Sequence, residues 1–293
     1  MLSIHLMGGL GNELFMIFAA MAYAIQHNVK IVLPWRCNME GHRHTYWDTF
    51  FSDLVIFTTA NPSNGVSDED IYSTELYHER NFTYEAFPNF GNKSICLYGY
   101  FQSYKYFEPM QSIIYQMIKL EQKKQLVRTT YADYFQGETV SMHFRMGDYK
   151  AKRYYHPIMN YEYFEESLKT IVSQRPTVSR VLYLCEAEDN EFVRGYISRF
   201  QNIFPNLTFV KVADDIVDYN QLLVMACCHH NIMANSTFSW WGAYMNENPE
   251  KIVCYPSKWF GEYYEHTHDH RDMMPEHWMK IQSSPIPWNL PLV

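Results

Sequence analysis

Residues 231–242 read Asn-Ile-Met-Ala-Asn-Ser-Thr-Phe-Ser-Trp-Trp-Gly, a short apolar strand running into small hydroxyl residues and then a tryptophan pair. A strand followed at once by a helix start is the unit from which parallel α/β sheets are built. Asn235, Ser236, Thr237 and Ser239 bring hydrogen-bonding groups to that helix N-terminus. Backbone N–H groups and the positive end of the helix dipole favour an anion there, such as a phosphate ester. A capped core helix whose Trp240 and Trp241 only pack would read the same way. A second anion-binding element is needed to decide.

The stretch Ser141-Met142-His143-Phe144-Arg145-Met146-Gly147-Asp148-Tyr149 supplies it. Period-2 alternation puts His143 and Arg145 on one face of a strand, and a glycine turn carrying Asp148 follows. Around these two stretches the pattern is regular. Strands are predicted at about 139–145, 180–185, 207–212, 231–235 and 251–255, alternating with helices at about 160–174, 189–200, 218–229 and 237–246. That alternation means right-handed crossovers and a doubly wound parallel sheet. Ligands of such sheets bind outside the strand carboxyl ends, where both Arg145 and Ser236 fall.

The first half is less regular. Ser3–Met7 read as a strand, Gly8–Gly11 as a turn, and Asn12–Gln26 as a helix with Leu14, Phe15, Phe18, Ala22 and Ile25 at helical spacing. Val29–Leu33 read as a second strand, residues 36–95 as irregular with short helices, and Pro109–Tyr134 as one helix.

The two motifs resemble those of the inverting α-1,2-fucosyltransferases, glycosyltransferase family 11, whose patterns run roughly His-x-Arg-Arg-Gly-Asp-Tyr and Ser-Ser-Phe-Ser-Trp-Trp-Gly-Ala-Trp. Gly8-Gly9-Leu10-Gly11-Asn12, Gly99-Tyr100-Phe101-Gln102-Ser103-Tyr104-Lys105-Tyr106-Phe107 and Pro275-Glu276-His277-Trp278 extend the similarity over nearly the whole chain. The resemblance implies a GT-B-like α/β fold of two Rossmann-like domains whose parallel sheets face a cleft. Residues 1–135 would form the acceptor side and 136–293 the GDP-sugar domain. It further implies transfer of L-fucose from GDP-β-L-fucose to the 2-hydroxyl of a terminal β-galactoside, with inversion and without a metal or other cofactor. A weak or silent nucleotide-sugar or glycan-binding protein, or a transferase of a different GDP-sugar, is the alternative.

Expelling GDP builds negative charge on the β-phosphate, which something positive must meet. Arg145 is the candidate, since its fork can hold two phosphate oxygens. Met146 stands where the family pattern has a second arginine, leaving Lys150, Lys152 or Arg153 to compensate if one is needed. His143 reads either as a bond to phosphate or sugar or as a core histidine. Asp148 reads as a positioner of Arg145 or His143, or as a proton acceptor. Those two and Glu13 are the candidate bases. Gly8, Gly9, Gly11 and Asn12 are candidate donor contacts at a helix start, and Glu186 is one for the guanosine. Asp68-Glu69-Asp70 spells a metal-type Asp-x-Asp, but in a polar loop. Cys227-Cys228-His229-His230 resembles a metal set in letters only, whereas His266, His268 and His270 alternate and could share a face, as a fortuitous metal site would require.

The 293 residues and 47% hydrophobic content suffice for two domains, while a net charge of −8 excludes a general nucleic-acid surface. Six cysteines, two of them adjacent, read as reduced core residues, and with no apolar run of bilayer length a soluble, cytoplasmic protein is expected. Since animal members of the family it resembles carry a membrane anchor, the resemblance implies a bacterial or viral-type member. The four Asn-x-Ser/Thr sequons are taken as chance. The 17% aromatic content, with 24 Tyr, has a packed core as its commoner use and a sugar cleft as another.

Overall fold

The computed structural model describes residues 1–36, 45–290 and 292. It is a mixed α/β structure with a parallel sheet in each of two compact units, Met1–Gln122 with Asp269–Pro275, and Lys123–His268 with Glu276–Val293. The division falls at Gln122/Lys123 rather than at residue 135, and a late segment returns to the first unit.

In the first unit β1 (Leu2–Ile4) leads through the glycine turn into α1 (Leu10–His27). Every side chain of α1 from Leu14 to Ala24 is buried, and the helix ends at Asn28, whose left-handed conformation is one that asparagine tolerates. The short α2 (Asp68–Tyr72), β2 (Glu75–His78) and β3 (Ile95–Tyr98) follow, with sheet order β1-β3-β2. Residues 29–33, expected as a strand, make only single bridges, Leu2 to Ile31 and Leu33 to Thr58. The long helix expected after Pro109 is broken: α3 (Gln111–Met117) and α4 (Leu120–Thr130) flank Lys119, whose φ of +52° interrupts the helix. Lys105 Nζ and Ser103 Oγ both bond Asp272, which ties the returning segment to this unit.

Glu79 directly follows β2. Its Oε2 accepts the Tyr100 N–H at 2.7 Å, while Oε1 is buried with no hydrogen-bond partner among the described residues. Gly99, at φ +156°, must lack a β-carbon because one would overlap the Glu79 side chain. Burial pushes this carboxyl up to about 7 from 4.5, against the Phe101 and Tyr100 amides. The folded chain therefore keeps a proton that the unfolded chain has lost between those values. Its stabilising effect is complete below the unfolded value and disappears as pH rises through the folded one. Glu79→Gln should match the wild type near pH 4.5 and exceed it above pH 7 by on the order of 3 kcal/mol. Melting curves on both sides of that window test this, and a constant gap would contradict it.

The second unit continues with β4 (Glu138–His143), α5 (Tyr161–Gln174), β5 (Val178–Leu184), α6 (Asn190–Ile203), β6 (Thr208–Lys211), α7 (Asp218–Cys227), β7 (His230–Ile232), α8 (Thr237–Tyr244), β8 (Val253–Pro256) and β9 (Met279–Ile281). All neighbours pair in parallel in the order β6-β5-β4-β7-β8-β9. Each expected strand and helix of this half is present within a few residues. The edge strand β9 has no counterpart in the sequence reading. Val140, Met142, Val181 and Ile232 of the sheet pack with Phe164 and Leu168 of α5 and Val193 and Phe200 of α6. From β4 the chain winds outward through β5 and β6, and from β7 it winds the other way. The reversal point of the sheet thus lies between β4 and β7, the place where doubly wound folds bind ligands. Among the described residues no helix is long and apolar enough to cross a membrane.

Candidate active site

The two motifs met in the sequence end the two strands at this reversal point. After β4 the chain runs through Phe144, buried in the core, to Arg145, and turns at Gly147 into a helical turn at Gly147–Ala151. Arg145 Nη1 donates to Glu186 Oε1 at 2.6 Å and Nη2 to Asp148 Oδ1 at 2.5 Å. Its guanidinium lies 5.0 Å from the Tyr149 ring centroid. The arginine side chain is 22% exposed and its two carboxylate partners about half exposed, so it is held in position yet open to solvent.

Asp189 lies behind this turn, fully buried. It accepts the Gly147 N–H at 2.9 Å and pairs with Lys150. Gly147 has φ +30°, and a β-carbon there would overlap the Glu186 carboxylate. The turn therefore depends on a glycine in front and a buried carboxylate behind.

His143 is 7% exposed. Burial, then the charges of Arg145 and Lys211, push it down to about 3, so it is neutral at physiological pH. Its Nδ1 is buried with no hydrogen-bond partner among the described residues. Its ring lies 5.6 Å from that of Phe238 in the first turn of α8, which joins the two motifs. Tyr149 Oη reinforces this by donating to the Asn235 carbonyl at 3.2 Å.

On the β7 side, Ser236 caps α8 by accepting the Phe238 N–H. Ser239 turns its hydroxyl inward to the Ala234 and Ser236 carbonyls and is buried. Asn235 spends its amide N–H groups on the Pro157 and Trp259 carbonyls, bracketing two loops; only Oδ1 is left, buried with no hydrogen-bond partner among the described residues. Thr237, half-buried, begins the helix. Trp240 and Trp241 are fully buried, so they fix α8. At its other end Lys251 donates to the Ala243 and Asn246 carbonyls and Lys124 to that of Met245 at 3.2 Å. Burial, with Lys124 adding and Glu247 opposing, pushes Lys251 down to about 8.

Glu186, read from sequence as a nucleoside contact, is a partner of Arg145 here. The first-unit motif forms separately: Gly8 takes φ +81° against the Asn12 side chain, Gly9 caps α1, and Gln102 donates to Asn12 Oδ1 at 3.1 Å. Two stretches far apart in sequence thus meet at the start of α1, where Gly11 and Glu13 are buried.

The metal-like letters have other occupations. Asp68 accepts the Trp35 and Arg36 N–H groups and the Thr59 hydroxyl, and Asp70 closes a capping box with Ser67. His229 Nδ1 accepts the Thr139 N–H, while His230 bonds Glu138 and the Ile252 N–H. Among the described residues no group of three metal-type side chains forms. Sequence reasoning missed Asp189 and Tyr149: Glu186-Ala-Glu-Asp189 carries three acids, and nothing in the letters marks the one that turns inward.

The glycosyl transferase family 11 model matches residues 66–282, well over half of the chain. The chain belongs to this family. It is 26% identical over 173 residues to the O-antigen biosynthesis glycosyltransferase WbnK of Escherichia coli, covering 56% of this chain and 55% of that one. It is also 22% identical to an α-1,2-colitosyltransferase of Escherichia coli, over 95% of this chain and 98% of the relative. Among solved structures, a NodZ α-1,6-fucosyltransferase soaked with GDP-fucose is similar at 14% identity and a TM-score of 0.48, covering 82% of this chain and 91% of that one.

Against the family 11 pattern, Met146 is buried with Phe144, Ile158 and Phe164, and it lines a pocket of about 230 Å³, open mouth included, beside Arg145. Of the residues that could replace the second arginine, Lys150 and Arg153 are engaged elsewhere, and Lys152 stands beside Asp148, the partner of Arg145. Lys150 pairs with Glu188 and Asp189, Arg153 donates to the Pro287 carbonyl, and Lys152 approaches Asp148 at 3.6 Å.

Proposed function

We propose that this family 11 chain is an inverting, metal-independent α-1,2-fucosyltransferase that moves L-fucose from GDP-β-L-fucose to the 2-hydroxyl of a terminal β-galactoside. The observation that carries this reading is that Arg145 and the N-terminus of α8 follow the neighbouring strands β4 and β7 at the reversal point, where His143–Phe238 and Tyr149–Asn235 contacts join the two motifs. One side offers a forked cation and the other a helix start with Ser236 and Thr237, which together suit a diphosphate. As the glycosidic bond breaks, charge grows on the leaving phosphate, and Arg145 meets it without reorganising because Asp148 and Glu186 hold it in place. His143, pushed down to about 3 by burial and by the charges of Arg145 and Lys211, is a weak proton acceptor, which suits a hydrogen bond to the donor better than proton abstraction.

Supplying GDP-fucose and a β-galactoside should release GDP and yield the 2-linked product. Binding of GDP-fucose without turnover would instead favour the silent reading. Transfer should be unchanged in EDTA, since the Asp68 and Asp70 carboxylates are occupied by backbone and side-chain donors. Strict metal dependence would return those residues to candidacy. The second reading, a different donor sugar, is favoured by the colitosyltransferase likeness along nearly the whole chain. A donor panel with linkage analysis separates the two.

A further inference from the structure

The second unit carries a run of aromatic rings that the proposed reaction does not use. It begins at the candidate site, where Tyr149, beside Arg145, stacks on His156 at 4.8 Å. His156 lies 6.1 Å from Tyr264, and Tyr264 lies 5.5 Å from Tyr155. Tyr155 meets Tyr263 at 4.9 Å, Tyr263 meets Tyr154 at 5.9 Å, and Tyr154 meets Trp288 at 5.2 Å. The near rings are partly buried. The far ones open to solvent, with Tyr154 and Tyr155 at 38%, Tyr263 at 54% and Trp288 at 47% exposure.

The outer rings are held in place. Gly261 presses its backbone against Tyr154, where a β-carbon would overlap the carbonyl, and its N–H donates to Tyr155 O at 2.8 Å. The Tyr263 N–H donates to Tyr154 O at 3.2 Å, so two tyrosine pairs are drawn together. Arg153 holds the Pro287 carbonyl at 3.1 Å, and Trp288 Nε1 donates to Glu262 at 3.2 Å. Rings fixed before a ligand arrives lose little freedom on binding.

We propose that Tyr154, Tyr155, Tyr263 and Trp288, all on the second unit rather than on the residues 1–135 expected as the acceptor side, form an additional acceptor subsite that holds the sugar rings of an oligosaccharide beyond its reacting galactose. This rests on the transfer reading above. Flat rings offer π faces to sugar C–H groups, while the tyrosine hydroxyls and the Glu262 carboxylate lie at hand for sugar hydroxyls. Tyr and Trp also mark protein interfaces, but the centres of those are depleted of charge. Here Glu262 bonds Trp288 at the outer end of the run, and a Lys258–Glu265 ion pair lies in the same segment. The run is also continuous with the residues beside Arg145, as an acceptor reaching the donor requires.

The test uses the whole chain with Tyr263→Ala and Trp288→Ala, alone and together, and Tyr263→Phe as the ring-preserving variant. Two readouts are taken: saturation-transfer NMR with a panel of β-galactoside-terminated tetrasaccharides, and the ratio of kcat/KM for a tetrasaccharide to that for methyl β-galactoside. The double variant should lose the NMR signal and lower the ratio about tenfold, with Tyr263→Phe close to wild type. The proposal is overturned if the wild type binds no tetrasaccharide, if the double variant binds as the wild type does, or if both acceptors lose rate equally. It is also overturned if the substitutions dissociate a dimer in sedimentation while glycan binding persists. Tetrasaccharide binding by a wild type that cannot transfer fucose would sink the donor reading and leave this subsite standing.

Discussion

Arg145→Ala is expected to lower the proposed fucosyl transfer by roughly a thousandfold, the scale seen when one preorganised donor to a developing anion is removed. The fold should survive. The arginine's partners Asp148 and Glu186 are about half exposed, and ion pairs of that kind contribute about 0–1 kcal/mol. Arg145→Lys separates charge from geometry: an ammonium retains the positive charge but not the fork that grips two oxygens, so its rate should lie between those of the wild type and Arg145→Ala. The measurements are GDP release and melting temperature. Near-normal transfer by Arg145→Ala would refute the mechanism, whereas a large fall in melting temperature would recast the arginine as structural.

The second large effect is expected at Asp189. Its side chain is fully buried, holds the Gly147 N–H and pairs with Lys150. Removing it leaves a buried N–H without its acceptor and Lys150 without its deepest partner. Breaking such a pair costs about 3–5 kcal/mol, and the lower end applies because Lys150 is 35% exposed and can turn to water. Asp189→Ala should therefore destabilise the second unit by about 3 kcal/mol. It should also slow transfer, because the freed turn no longer sets Asp148 beside Arg145. Adding Lys150→Met should recover part of the stability but not the rate. A single variant that melts and turns over like the wild type would show the turn to be self-supporting.

The second unit was legible because its elements repeat one pattern. Apolar strands such as Val178–Leu184 end at polar turns, helices such as Tyr161–Gln174 alternate with them, and parallel order then assigns Arg145 and Ser236 to one edge. Reading failed where structure depends on single residues or distant partners. Lys119 breaks a helix through its backbone conformation, which periodicity does not register. Residues 29–33 are apolar enough for a strand, yet the chain meets β1 at only one bridge. β9 is a three-residue edge strand that exists by adding to β8. At the site, Arg145, Asp148 and His143 came from the motif, but Asp189 is one acid among several and acquires its role only when the turn folds over it. Asn235 was grouped with Ser236, Thr237 and Ser239 for its place at a helix start; that its amide N–H groups bond the Pro157 and Trp259 carbonyls, distant in sequence, could not be read there.

The lysines at the far end of α8 have a consequence for the anion side. The helix has eight residues, so its ends lie about 12 Å apart, little more than the ~8–10 Å screening distance of physiological salt. Lys124 and Lys251 sit on the carbonyls where the negative pole of the dipole would emerge. With that pole covered, the N-terminus at Ser236 and Thr237 behaves less like one half of a dipole and more like an isolated positive charge. If the α8 N-terminus holds the donor phosphate as proposed, its pull on that anion is set partly by two side chains at the opposite end of the helix, and a change at either would reach the donor without altering the helix start.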